Sequence, residues 1–252
     1  MRGAGQGRVA GKRALVVGGA GAIGSGIVEK LLEEGATVVV GDFNRESLDI
    51  FTSSLGDDAV SGVVVDITDP ASVTEAVSAA VETLGGAIDI LVNATGISHQ
   101  GTTFDEETVE GWNRVLAVNL TGAFVLIKAA VAHMGAGAAY VMISSTGAVR
   151  GLPLNLAYGA SKGGMANYTQ GLAAALAPRG IRVNTVGPGL MEHPVRNGAV
   201  STEVRVGRDD VVPLGRLGTG RDIGNVVCFL ASDEASWVTG QSVYVDGGSL
   251  AR

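Results

Sequence analysis

Ala14-Leu15-Val16-Val17-Gly18-Gly19-Ala20-Gly21-Ala22-Ile23-Gly24 is the stretch that decides the fold. A short apolar run passes into glycines spaced G-x-G-x-x-G, at Gly19, Gly21 and Gly24. Beyond them Ile23, Ile27, Val28, Leu31 and Leu32 recur at helical intervals, and Gly35 closes the segment. The spacing predicts strand, tight turn and helix. Glycines at such a turn let backbone N–H groups approach a pyrophosphate, which the following helix N-terminus attracts. A plain turn could carry the same glycines, so the reading depends on what surrounds them.

What surrounds them repeats the pattern. Further apolar runs at 37–40, 63–65, 88–92, 140–143, 182–186 and 243–245 predict strands. Between them, 45–55, 70–84, 106–134, 158–177 and 222–230 predict helices, with Asp69 as a cap and Pro70 in the first helical position. Strands that are apolar throughout and alternate with helices predict a parallel sheet covered on both faces. The expected fold is α/β: one Rossmann-type, doubly wound parallel sheet of about seven strands. In that architecture ligands gather beyond the carboxyl ends of the strands, so the residues just after each apolar run are the candidates for function.

The chain has 252 residues, enough for a sizeable core and read as one domain over 9–252, with 1–8 as a flexible tail. Hydrophobic residues make up 46%, which excludes a disordered chain. The net charge of −7 argues against nucleic acid as a partner, because phosphate backbones select clustered positive charge. One cysteine, Cys228, excludes an internal disulfide and reads as a buried apolar residue; no metal-ligating cluster is expected. Residues 1–7 lack the apolar segment of a secretory signal, and no uninterrupted run approaches the roughly 18 apolar residues of a membrane span. The expectation is a cytoplasmic protein with no membrane contact.

The strand ends carry polar residues. Asp42, eighteen positions past Gly24, ends the second strand, where a carboxylate suits ribose hydroxyls and repels a 2′-phosphate. Phe43 follows instead of a basic residue, so NAD is expected over NADP, with Arg45 as the cation that could reverse this. Asp66-Ile67 ends the third strand, either at an adenine edge or as a helix entry. Asn93-Ala94-Thr95-Gly96 ends the fourth, with Asn93 either touching a cofactor or tying loops together. Ser144 and Ser145 end the fifth and Pro188-Gly189 the sixth. Asn119 sits inside an apolar helical stretch, where a buried amide needs partners. Tyr158 and Lys162, four apart, share one helix face, and an ammonium near a phenol lowers the phenol's pKa.

Taken together and in this order, these residues resemble the classical short-chain dehydrogenase/reductase family from about Val9 to Gly248. The closing Val238-Thr239-Gly240-Gln241 and Val245-Asp246-Gly247-Gly248 belong to the same resemblance. It implies a catalytic tetrad of Asn119, Ser145, Tyr158 and Lys162, with Ser145 chosen over Ser144 because it lies thirteen residues before Tyr158. It implies that Tyr158 is the general acid/base and Lys162 holds the nicotinamide ribose. Ser145 would bond the substrate oxygen, and Asn119 would hold a water linking Lys162 to solvent. The implied cofactor contacts are Gly18, Gly19, Gly21, Ala22, Ile23, Gly24, Asp42, Phe43, Asp66, Ile67, Asn93, Ala94, Thr95, Tyr158, Lys162, Pro188 and Gly189. Departures are Val17 in place of a threonine, Ala22 in place of the motif's second glycine, Ala94-Thr95 in place of Asn-Ala, and His193 in place of a threonine.

The segment 190–217 lacks regular periodicity and is expected to close over the substrate, as the corresponding region does in the family. Ser98, His99, Ser145, Leu152, Asn155, Leu190 and His193 are the candidate substrate contacts, with Ile97, Gln100 and Leu154 beside them. The Tyr158 helix has small and apolar residues nearly all round, which predicts a partner subunit on a second side; family likeness implies a homotetramer. The expected activity is hydride transfer between NAD(H) and a secondary alcohol or ketone. Alternatives are an NADPH-dependent ketoreductase of the 3-oxoacyl-carrier-protein type and a cofactor-binding regulator without catalysis.

Overall fold

In the computed structural model, which describes residues 7–56, 60–99, 101–192 and 212–251, strands and helices alternate. The strands are β1 (Arg13–Val17), β2 (Thr37–Asp42), β3 (Val60–Val64), β4 (Ile90–Asn93), β5 (Ala139–Ile143), β6 (Arg182–Pro188) and β7 (Ser242–Val245). The helices among the described residues are α1 (Ala22–Glu33), α2 (Arg45–Leu55), α3 (Pro70–Thr83), α4 (Val109–Leu116), α5 (Gly122–Ala130), α6 (Leu156–Leu176) and α7 (Gly220–Ala231). A π-helical turn, Ala117–Thr121, joins α4 to α5.

All seven strands are parallel, in the order β3-β2-β1-β4-β5-β6-β7. The order reverses between β1 and β4, so a crevice opens beyond their carboxyl ends. Register brings Val17 beside Gly41 on one side and Asn93 on the other. Asn93 in turn pairs with Met142. The residues that follow β1, β2, β4, β5 and β6 therefore converge on one edge.

The period of two splits the strands between two cores. Leu15, Val17, Val39, Leu91, Tyr140 and Met142 face α3, α5 and α6. Val16, Val38, Val40, Ile90, Val92 and Val141 face α1 and α7. Each fully buried Val or Leu contributes roughly 1.5–3 kcal/mol, so a charge at Val16, which has no exposure at all, would be prohibitive.

Local signals explain where helices begin. Asn44 accepts from the Ser47 N–H, Asp69 accepts from the Ala71 N–H with Pro70 behind it, and Thr108 accepts from the Gly111 N–H. Thr219 and Asp222 form a reciprocal capping box on α7. Helix α1 packs on α7 at backbone distance. A Cβ on Gly26 would lie 2.4 Å from the Gly220 carbonyl carbon, and one on Gly224 2.7 Å from the Gly26 oxygen.

Four sequence expectations need correction. The third strand runs Val60–Val64 rather than 63–65, because it pairs with β2 and is only half-buried, with Gly62 packed against Leu48. The fourth begins at Ile90, since Asp89 bonds to Arg13 and the Ile88 N–H donates to the His133 carbonyl. The helix expected over 106–134 starts at Val109 and is interrupted by the π turn around Asn119. The Tyr158 helix begins earlier, at Leu156. The continuous helical segment Val109–His133 is long and apolar enough to cross a membrane by length and hydropathy. Its Asn119 is fully buried, and the Tyr140 hydroxyl donates to its Ala123 carbonyl, so part of it is a core helix against the sheet.

Candidate active site

The glycine turn is built by close contact. Gly18 has φ +80°, and a Cβ there would meet the Ala94 carbonyl carbon and Thr95 nitrogen at 2.7 Å. At Gly24 a Cβ would lie 2.1 Å from the Gly18 oxygen, so α1 can enter the turn only with a glycine there. At Gly21, by contrast, an added Cβ would meet only the Gly18 oxygen, at 3.3 Å, and the residue faces open space. Helix α1 has no side chain capping its first N–H groups and no acidic residue in its first turn. Uncapped N–H groups at a helix start attract an anion.

Asp42 ends β2 with its carboxylate bonded on both sides: one oxygen accepts from the Ala20 N–H at 3.1 Å, the other from the Asn44 N–H at 3.2 Å. Its neighbour Phe43 is 72% exposed. Arg45 pairs with Asp49 on its own helix, 3.5 Å away. Asp66 acts as a local turn former, accepting from the Thr68 N–H and hydroxyl, and the Ile67 side chain is buried against Gly122. Asn93 is fully buried, and its carbonyl oxygen accepts from the Thr95 N–H at 3.0 Å and hydroxyl at 2.6 Å. Asn93 thus fixes the loop that Gly18 packs against.

The chemical end lies on the other side of the switch point. Asn119 clasps the loop after β4: its Oδ1 accepts from the Ile97 N–H at 2.9 Å, and its Nδ2 donates to the Ile97 carbonyl at 3.0 Å. The same Nδ2 donates to Ser161 Oγ at 3.0 Å, and that hydroxyl donates to the Tyr158 carbonyl at 2.7 Å. The π turn gives Asn119 the reach for this, since one extra residue re-aims its side chain. Lys162 is buried and donates from Nζ to the Ile143 carbonyl at 2.8 Å, and the same Nζ lies 5.5 Å from the centre of the Tyr158 ring. Ser145, two residues past the end of β5, caps the turn Thr146–Ala148, its Oγ accepting from the Gly147 N–H at 3.0 Å.

The electrostatics correct one expectation. The Tyr158 phenol is pushed above its ordinary range by burial, and a hydrogen bond with Ser145 pulls it only partway back. Lys162 does not bring it down, because its ammonium is engaged at Ile143 and is itself desolvated, its pKa falling to about 8. Burial raises the Cys228 thiol to about 12, which fits an inert core residue.

Ser145, Tyr158 and Lys162 share one cavity of about 570 Å³. Of the expected cofactor and substrate contacts, Ile23, Ala94, Thr95, Ser98, Leu152, Asn155, Pro188, Gly189 and Leu190 line it. Thr146, Gly147, Pro153 and Met191 also line it without having been singled out; they follow or face strand ends, the one signal that could have found them. His99 stands beside Glu107, 3.7 Å away, and is not part of the wall. His193, Gln100 and most of the segment 190–217 lie outside the described residues. Leu190 continues through Met191, which bridges to Gly218.

The described residues fit a dinucleotide: an uncapped helix start, an exposed Gly21 with open space beside it, and a carboxylate at the end of β2. A family model described as enoyl-(acyl carrier protein) reductase matches residues 18–249. The chain is 39% identical over 246 residues to a 2,5-dichloro-2,5-cyclohexadiene-1,4-diol dehydrogenase, LinX, of Sphingobium indicum, covering 96% of this chain and 97% of that one. It is 39% identical over 248 residues to a 3-alpha-(or 20-beta)-hydroxysteroid dehydrogenase of Mycobacterium tuberculosis, covering 97% and 92%. Among solved structures, a chain from Brucella melitensis titled short-chain dehydrogenase/reductase SDR:Glucose/ribitol dehydrogenase superposes with a TM-score of 0.87. It is 35% identical, with 97% of this chain and 99% of that chain covered.

Proposed function

This chain belongs to the short-chain dehydrogenase/reductase family, and on that premise we propose that it is an NAD(H)-linked dehydrogenase of alicyclic secondary alcohols or their ketones. The observation that carries the chemistry is the meeting of Ser145, Tyr158 and Lys162 in one cavity next to the glycine turn. Two relatives named as dehydrogenases of a cyclohexadiene diol and of hydroxysteroids support the frame of the substrate.

The nicotinamide, when bound, supplies or takes the hydride. Ser145 Oγ and Tyr158 Oη hold the substrate oxygen, and Tyr158 gives or takes the proton there. Burial keeps Tyr158 protonated at neutral pH, which makes it a ready acid for ketone reduction. Lys162, whose Nζ is held by the Ile143 carbonyl 5.5 Å from the centre of the Tyr158 ring, would bind the nicotinamide ribose hydroxyls beside the phenol. Asn119 keeps the loop at Ile97 and the helix at Ser161 in place around these groups.

The preference for NAD rests on Asp42 and on Arg45, which pairs with Asp49. A homotetramer is supported by the outward stripe of α6, where Ala160, Gly171 and Ala174 leave a small-residue face exposed. A cytoplasmic location is supported by a single, buried, unreactive cysteine. Dissociation constants for NADH and NADPH test the cofactor assignment. NADH is expected to bind at least about tenfold tighter, a difference of about 1.4 kcal/mol, and Asp42→Ala to shrink that gap. Equal or tighter NADPH binding would overturn it.

A further inference from the structure

Asn155 stands at the N-cap of α6, three residues before Tyr158, and lines the cavity. Asparagine at an N-cap ordinarily spends its side-chain oxygen on the first-turn N–H groups. Here it makes no such bond. The Gly159 N–H donates to the Asn155 backbone carbonyl instead. The Asn155 Oδ1 is buried and has no hydrogen-bond partner. A buried acceptor left in this state carries a desolvation cost that a partner would remove. The three wall residues that precede it in the chain, Leu152, Pro153 and Leu154, are apolar, while Ser98, Ser145 and Tyr158 line the same cavity.

A polar side chain that does not serve its own helix, standing after three apolar wall residues and one helical turn from the acid/base residue, is placed to read the substrate. We infer that Asn155 is a specificity-determining residue that hydrogen-bonds a second oxygen of the substrate, so that the preferred class is a ring diol, or the matching hydroxyketone. The inference rests on the dehydrogenase reading above. The rise from residue 155 to residue 158 is about 4.5 Å along the helix, so Asn155 addresses an atom separated from the reacting carbon. A rotation of the amide about χ2 turns Oδ1 to the cavity, and a hydroxyl, being donor and acceptor, satisfies either amide orientation. The apolar stretch Leu152, Pro153 and Leu154 disfavours a second hydroxyl beside it unless a partner waits there, which is why a preference for the diol would be informative.

The experiment compares two alcohols on one ring, cyclohexanol and trans-cyclohexane-1,4-diol, with the full chain and saturating cofactor. Calorimetry gives the two dissociation constants, and NADH absorbance gives turnover. The diol is expected to bind at least about tenfold tighter, by the size of one well-placed hydrogen bond in a desolvated site. Asn155→Leu, which keeps volume and removes the amide, should bring the ratio of constants to one or below. Asn155→Ser, retaining a hydroxyl, should keep part of the preference and serves if the leucine variant does not fold. A wild-type ratio at or below one overturns the inference. So does a ratio that both variants leave unchanged while the melting temperature falls, which is the signature of a helix cap. Absence of turnover in either direction with both cofactors would instead sink the dehydrogenase reading, and the binding ratio still decides the role of Asn155.

Discussion

Tyr158 and Lys162 set the terms at the scale of single residues. With the phenol raised by burial, oxidation of an alcohol needs a form of Tyr158 that is scarce at neutral pH. The oxidation rate is therefore expected to climb as pH rises above neutral, while ketone reduction falls over the same range; flat profiles in both directions would contradict the assignment. Tyr158→Phe should lower kcat by at least about a thousandfold with NADH affinity changed little, read by fluorescence titration. Lys162 adds a stability signature. Its folded pKa of about 8 lies below the ordinary 10.5, so the unfolded chain binds more protons between those values. Stability therefore rises with pH through that window. Urea midpoints of wild type relative to Lys162→Met should rise between pH 8 and 10.5, with a total on the order of 3 kcal/mol. A pH-independent difference would mean that Lys162 is better solvated than its burial indicates.

At the scale of elements, what could be read from the sequence and what could not divide along physical lines. The β1 turn was legible because steric demands at Gly18 and Gly24 leave no other residue type. Buried strands β1, β2 and β5 announced themselves as apolar runs, whereas β6 carries buried Asn184 and Thr185 among its apolar residues. Strand β3 was misplaced because it lies at the sheet edge, half-buried, with alternation blurred by Gly62. The π turn was invisible: Ala117–Thr121 has ordinary helical composition, and the reason for its extra residue is the Ile97 backbone, distant in sequence. The direction of the Tyr158 shift was equally hidden, since spacing gives proximity to Lys162 but not burial. The capping box at Thr219 and Asp222 was readable and would have placed the start of α7. The α1–α7 contact was not, because close packing at Gly26 depends on a helix almost two hundred residues away. It gives a direct test: Gly26→Ala should destabilise the fold by about 1–3 kcal/mol with an unchanged denaturant slope. A neutral result would show that the helices can part without cost.

At the scale of the whole molecule, one parallel sheet holds a nucleotide crevice and a reaction cavity on the same edge. Its outer surface leaves Trp237 at 99% exposure and Phe124 and Phe229 partly open, together with the small-residue stripe of α6. A homotetramer predicts a light-scattering mass near four times the 25.4 kDa chain at micromolar concentration; a stable monomer would remove the subunit-contact role of α6. The strand order has a further consequence for synthesis on the ribosome. Starting from β1, the chain first extends the sheet outward through β2 and β3, then returns to β1 and adds β4, β5, β6 and β7 successively on the other side. No strand ever has to be threaded between two that are already paired. Each newly made strand finds an open edge waiting, so the nucleotide half can assemble while the rest is still being translated. The reaction cavity comes last: Gly189 closes its wall against the Asp246 backbone, where a Cβ would sit 2.7 Å from the Asp246 Cα. A nascent chain stalled before β7 should therefore hold a dinucleotide crevice yet lack a finished place for the alcohol.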